Sequence, residues 1–236
     1  MLAIICGSGF ENPNFFEDEQ KIKVENLSHS PIKKGKVNGA EVIIMSRHGY
    51  DHEYLPHEVP YKDNMLALQS LGVTRIISIS ACGSLSDEIY PGTISLPNQF
   101  IDMTKNRDSS YNKEHVEMAK PFDEKLRMEI ERICCIENIQ CSYDTTLVTI
   151  EGPRFSTRAE SLLFKSWGIN LINMTTVPEV CLANELGIPY QVVNMVTDYD
   201  SWMVDRKPVS MDEIKKVMKE NSSIVKKLII KFVVLK

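Results

Sequence analysis

The 236-residue chain contains no apolar run near the roughly 20 residues that a bilayer-spanning helix needs, so no membrane partner is expected. It also lacks an excess of positive charge. Its 27 Lys and Arg against 32 Asp and Glu leave a net charge of −5, which argues against a nucleic-acid surface. The six cysteines include no CxxC pair and read as small buried hydrophobes in a reducing, cytoplasmic setting rather than as a disulfide framework. His48 and His52 have a metal-like spacing. Gly49 and Pro56 put them on a loop, however, with no third ligand in view, so neither a metal nor an organic cofactor is expected. The opening MLAIICGSGF has no basic region and no long apolar core of a signal peptide, and reads as a strand. The dinucleotide fingerprint fails as well, because Asn12 stands where its third glycine belongs. Without repeats, low-complexity tracts or linkers, residues 1–236 read as one domain.

The periodicity supplies the elements. Strands are expected at Leu2 to Cys6, Glu41 to Ser46, Thr74 to Ser80, Thr93 to Asp102, Thr146 to Ile150, Ile169 to Met174 and Tyr190 to Val196. Lys33 to Lys36 reads as a solvated charged loop, and Lys105 to Ala119 as a polar excursion from the sheet. Met65, Leu68 and Leu71 suggest a helix stopped by Gly72, and Asp123 begins another. Thr157 and Glu160 have capping-box spacing, after which Ala159, Leu162, Leu163 and Trp167 recur at helical intervals up to Gly168. Thr176 and Glu179 form a second box, Ser210 and Glu213 a third, before a long final helix with an apolar stripe. Strands alternating with helices indicate an α/β fold with crossover connections.

Five strands end in polar loops: Gly7-Ser8-Gly9, Arg47-His48-Gly49, Ser80 to Gly83, Met174-Thr175-Thr176 and Thr197 to Asp200. Ligands of open α/β sheets bind outside the carboxyl ends of the strands. Each motif alone has a plainer alternative. A GxG is also a simple turn, Arg47 also a partner for an ion pair, and Asp-Tyr-Asp also a solvated bend. Together they place hydroxyls and an arginine, which suit phosphate, against two carboxylates, which suit a base bearing N–H groups.

RHG at 47–49, SACGSL at 80–85, NQFID at 98–102, TIEGPRFSTRAES at 149–161, INMTTVPEV at 172–180 and TDYDSW at 197–202 resemble the 5′-methylthioadenosine phosphorylases. These belong to the trimeric purine nucleoside phosphorylase family, and the likeness runs from Ala3 to the final helix. It implies a twisted mixed sheet flanked by helices, of the phosphorylase/hydrolase type. It also implies a homotrimer, with phosphate and a nucleoside as substrates. The implied reaction is phosphorolysis to adenine and 5-methylthioribose 1-phosphate; the alternative is a relative acting on 6-oxopurine nucleosides.

By the same resemblance, Ser8, Arg47, His48, Ser80, Ala81 (through its N–H) and Thr175 form the phosphate site. Met174 lies under the ribose, Phe155 beside the base, and His52 among the substrate contacts. Asp198 holds the proton at the imidazole-ring nitrogen of the purine, and Asp200 accepts from its exocyclic amino group. Ser156 and Asp198 stand where 6-oxopurine enzymes carry Glu and Asn, so Ser156 marks base specificity. Met211 corresponds to the pocket for the 5′ substituent. His115 corresponds to a histidine lent to a neighbouring subunit, although its segment is shorter than in that family; otherwise it is an ordinary loop histidine.

Overall fold

Among the described residues, the alternating hydrophobic runs fold into one nine-stranded sheet covered by five helices. The computed structural model describes residues 1–11, 13–112, 115–203 and 211–235, the first five of the last segment as backbone only. The strands are β1 (Leu2–Cys6), β2 (Glu17–Ile22), β3 (Ile32–Val37), β4 (Ala40–Ser46), β5 (Arg75–Ser84), β6 (Ile94–Met103), β7 (Cys141–Ile150), β8 (Leu171–Asn173) and β9 (Tyr190–Tyr199). The helices are α1 (Tyr61–Ser70), α2 (Glu124–Ile136), α3 (Arg158–Ser166), α4 (Thr176–Glu185) and α5 (Met211–Val234).

The order is β2-β3-β4-β1-β5-β8-β7-β6-β9, and β9 pairs back onto β5. That extra pairing closes β5 to β9 into a ring, with β1 to β4 as an open wing. Strands β1, β4, β5 and β9 run parallel, which explains why β1 is an uninterrupted apolar run buried on both faces. Ile4, Ile44, Ile79 and Met195 pack on one face with Val225 and Leu228 of α5 and Ile130 of α2. Ile5, Met45, Ile76 and Val192 pack on the other with Met65 and Leu68 of α1 and Val180 of α4.

Local chemistry matches the elements where it is strong. Asp123 caps α2 by accepting from the Leu126 N–H at 2.7 Å, and Thr157 with Glu160 makes a complete capping box on α3. Gly72 and Gly168 follow their helices at φ +73° and +77°.

Three expectations are corrected, and the orientation of α3 is settled. Lys33 to Lys36 is not a loop but part of β3, its lysines paired to Glu19, Glu41 and Asp18 on adjoining strands. The apolar side of α3 faces outward: Leu162, Leu163 and Trp167 are about half exposed, while Ser161 and Phe164 point in. Glu179 does not cap α4. The helix is kinked at Val177, its Thr175 cap makes no side-chain bond, and Glu179 turns to a buried arginine. Finally, Ser80 to Gly83 and Thr197 to Tyr199 are not loops; they continue β5 and β9. The Ser210–Glu213 box lies outside the described residues.

Candidate functional site

The carboxyl ends of β1, β4, β5, β8 and β9 meet around a cavity of about 620 Å³, within the range of small-molecule sites. It is lined by Ser8, His48, His52, Ser80, Ala81, Phe155, Ser156, Met174, Thr175, Asp198 and Asp200, all expected from sequence, together with Glu11, Leu55, Thr197 and Met218.

One end is rich in hydroxyls. Ser80 Oγ donates to its neighbour's carbonyl, Ala81 O, at 3.1 Å and lies 3.3 Å from Thr175 Oγ1. Asn173 holds Ser80 in place: its amide nitrogen donates to Ser80 Oγ at 3.1 Å and to Thr176 Oγ1 at 2.6 Å, while its oxygen accepts from Thr149 at 2.9 Å. Gly9, at φ +80°, turns the chain so that Ser8 joins the same wall, and an added Cβ there would strike Met218.

His48 is 2% exposed, and its Nδ1 lies 2.8 Å from the Tyr54 carbonyl. Because a carbonyl only accepts, Nδ1 carries the proton. Burial, followed by the nearby Arg47 charge, lowers the imidazole pKa to about 3. His52 stacks on it at 4.6 Å and pairs through Nδ1 with Glu11 at 3.0 Å.

Arg47 is the main departure from the sequence reading. It is wholly buried and does not line the cavity. Its guanidinium forks onto Glu179, with further bonds to Ser78 Oγ and to the Ile79 carbonyl at 2.9 Å. Glu179 also accepts from Ser78 at 2.9 Å and Tyr190 at 2.8 Å. The expected fork onto an anion is thus a fork onto a carboxylate, because a buried guanidinium requires a charged partner. Gly7 leaves room for it; a Cβ at that position would lie 2.1 Å from Arg47 Nη1. The arginine therefore contributes its field from behind the backbone of Gly7.

The acidic end is assembled by a bulge. Register shifts between Cys82 and Gly83, so that Cys82 faces Val196 and Gly83 faces Asp198, leaving Thr197 as the extra residue. Thr197 Oγ1 donates to Asp198 at 2.6 Å. Burial, helped by the charge of Asp200, raises the Asp198 carboxyl to about 6, against the effect of the Thr197 bond. Ser156 Oγ donates to Asp200 Oδ2, and the Asp200 N–H donates to the Ser84 carbonyl at 3.0 Å. Trp202 Nε1 holds that same carbonyl at 2.8 Å and Ser201 holds the Ser156 carbonyl at 3.0 Å, so the turn carrying the acids is fixed from both sides. Phe155 projects into the mouth and is 61% exposed.

Between the two ends, Met174 packs against Gly152, and Met218 of α5 closes the wall beside Gly9. Arg107, within the excursion, donates to the carbonyls of Met174 at 2.6 Å and Val177 at 3.0 Å, and also to the Glu151 carbonyl. It pins the floor of the site. His115 is exposed and is not among the lining residues. The side chain of Met211 lies outside the described residues; among those described, α5 presents Met218 to the cavity.

Asn173, Arg107, Glu179 and Met218 were not singled out by sequence reasoning. Glu179 had been assigned to a cap, and Met218 to a plain core stripe. Asn173 and Arg107 act mainly through hydrogen bonds to residues distant in sequence, which leave no local pattern. Among the described residues no group of three or more His, Cys, Asp or Glu is placed to hold a metal, and no helix is long and apolar enough to cross a membrane. All six cysteines are free thiols.

Residues 1–234 match the phosphorylase superfamily. The S-methyl-5′-thioadenosine phosphorylase of Ciona intestinalis is 43% identical over 232 residues, covering 93% of this chain and 83% of its own. That of Pyrococcus furiosus is 43% identical over 235 residues, covering 97% and 90%. The solved methylthioadenosine phosphorylase of Schistosoma mansoni in complex with adenine superposes with a TM-score of 0.91 at 33% identity, covering 99% of this chain and 91% of that one. With identity at this level, and a fold to match, the chain belongs to the S-methyl-5′-thioadenosine phosphorylase family of the phosphorylase superfamily.

Proposed function

We propose that the protein cleaves the N-glycosidic bond of S-methyl-5′-thioadenosine with inorganic phosphate, releasing adenine and 5-methylthioribose 1-phosphate. The observation that carries this reading is the polarity of one cavity, with hydroxyls and His48 at one end and a carboxyl held near pKa 6 at the other. A phosphate oxygen attacks the anomeric carbon as the bond to the purine breaks. The electron pair of that bond passes to the base, and the protonated form of Asp198, whose carboxyl burial raises to about 6, donates to the imidazole-ring nitrogen. Asp200 accepts from the exocyclic amino group, its second oxygen already engaged by Ser156. Ser8, Ser80, Thr175 and the Ala81 N–H hold the phosphate, and Met174 and His52 border the sugar.

A 6-oxopurine would set its carbonyl against Asp200, leaving two acceptors unpaired in a buried site, so adenine is favoured over hypoxanthine. The deciding measurement is product release from methylthioadenosine and methylthioinosine, each with and without phosphate. Phosphate-dependent adenine release supports the assignment; faster hypoxanthine release, or turnover without phosphate, overturns it.

The half-exposed face of Leu162, Leu163 and Trp167, on the helix that follows the cavity-lining Phe155 and Ser156 in the chain, supports assembly as a homotrimer with the site beside the subunit contact. In such an assembly His115 serves a neighbour's site rather than its own. The free thiols fit a reducing cytoplasm.

A further inference from the structure

We infer that His48 is a specificity-determining hydrogen-bond acceptor: its Nε2 selects an oxyanion that still carries an O–H, and rejects one that carries none. The inference rests on the proposal that phosphate is the second substrate.

The argument begins at Tyr54. Its carbonyl, 2.8 Å from Nδ1, fixes the proton on that nitrogen, so a neutral ring offers only a lone pair at Nε2. No described residue satisfies Nε2, and His48 lines the cavity beside Ser8, Ser80 and Thr175. The surroundings keep the ring neutral. It is 2% exposed, and Arg47 and Arg107 both oppose a positive charge on it. His52, stacked at 4.6 Å on one face, opposes it too, while Glu11 faces His52 rather than His48. Glu179, the carboxylate nearest Arg47, is committed to Arg47, Ser78 and Tyr190.

The three hydroxyls donate to oxyanion oxygens, but the bare imidazole nitrogen repels them. Phosphate and arsenate resolve the conflict in either of their neutral-range forms, because each keeps at least one O–H to donate to Nε2. Sulfate, of the same shape and charge, has none. It must bind with two lone pairs opposed, a cost paid in affinity.

The test uses the full-length protein at pH 8 and constant ionic strength. The KM for phosphate and for arsenate is measured with saturating methylthioadenosine, and sulfate is titrated as a competitor of phosphate. We expect arsenate within about threefold of phosphate and sulfate more than about tenfold weaker, the usual scale of an unmet buried hydrogen bond. His48→Gln, whose amide can donate, should bring sulfate and phosphate to within about threefold of one another. Sulfate binding within tenfold of phosphate in the wild type, a comparison that needs no variant, overturns the inference, as does a His48→Gln protein with unchanged discrimination. Turnover that ignores phosphate altogether instead overturns the reaction assigned above.

Discussion

Asp198 combines two properties that oppose each other. Its burial raises the carboxyl to about 6, and the same burial makes its ionised form unfavourable in the folded chain. The folded pKa lies above the unfolded one, so the folded state takes up a proton. Stability therefore falls as pH rises from about 4 to about 6 and stays lower above that. Asp198→Asn removes the penalty and should raise stability at pH 8 by up to about 3 kcal/mol, the value of a shift of about two units. The same variant cannot give up a proton, and kcat for adenine release should drop on the order of a hundredfold or more. Thermal melts from pH 4 to 8 beside initial rates check both halves. A variant less stable than the wild type at pH 8 contradicts the linkage.

The Arg47–Glu179 pair is also governed by residue-level electrostatics. Truncation of Glu179 leaves a guanidinium buried without its counter-charge. Glu179→Ala should therefore cost about 3–5 kcal/mol, read as a shift in the denaturation midpoint. Glu179→Gln, which keeps the bonds from Ser78 and Tyr190, should cost less and still bind adenine.

At the scale of elements, the tip of β1 and the bulge on β9 set the site. Gly7→Ala should be strongly destabilising, by roughly 3 kcal/mol or more, because its Cβ would collide with Arg47 and with the Ile79 carbonyl, which is backbone and cannot swing aside. Gly39→Ala, at a surface turn with nothing within 4 Å, serves as a control and carries only the strain of φ +79°. Chemical denaturation of the two variants side by side should show Gly7→Ala far the worse. Strands with unbroken apolar patterns, such as β1, were legible from sequence, and so were helices α2 and α3, whose caps bond within three residues. β2 was not legible, because EDEQKI is exposed along its length and held by pairing to β3 rather than by an apolar face. The bulge at Thr197 was also invisible, since it is defined by which residue of β5 lies opposite.

At the scale of the whole molecule, the outward apolar side of α3 carries the prediction about assembly. Leu163→Glu puts a charge on that face without touching the core and should yield a smaller species by analytical ultracentrifugation. Because the cavity-lining Phe155 and Ser156 lead directly into the Thr157 cap of α3, KM for the nucleoside should rise severalfold in that species. An unaltered sedimentation coefficient speaks against this face as the subunit contact.

The sequence alone determined which residues line the cavity: the acids at 198 and 200, the hydroxyls at 8, 80 and 175, and the imidazole at 48 were all legible as strand-end groups. Only the tertiary structure decided how they are used. Glu179 lies 132 positions from the arginine it neutralises, and Asn173 lies 93 from the hydroxyl it orients. Burial, tautomer and charge state arise from such distant encounters. They are properties of the space the closed sheet encloses, not of any neighbouring stretch of chain.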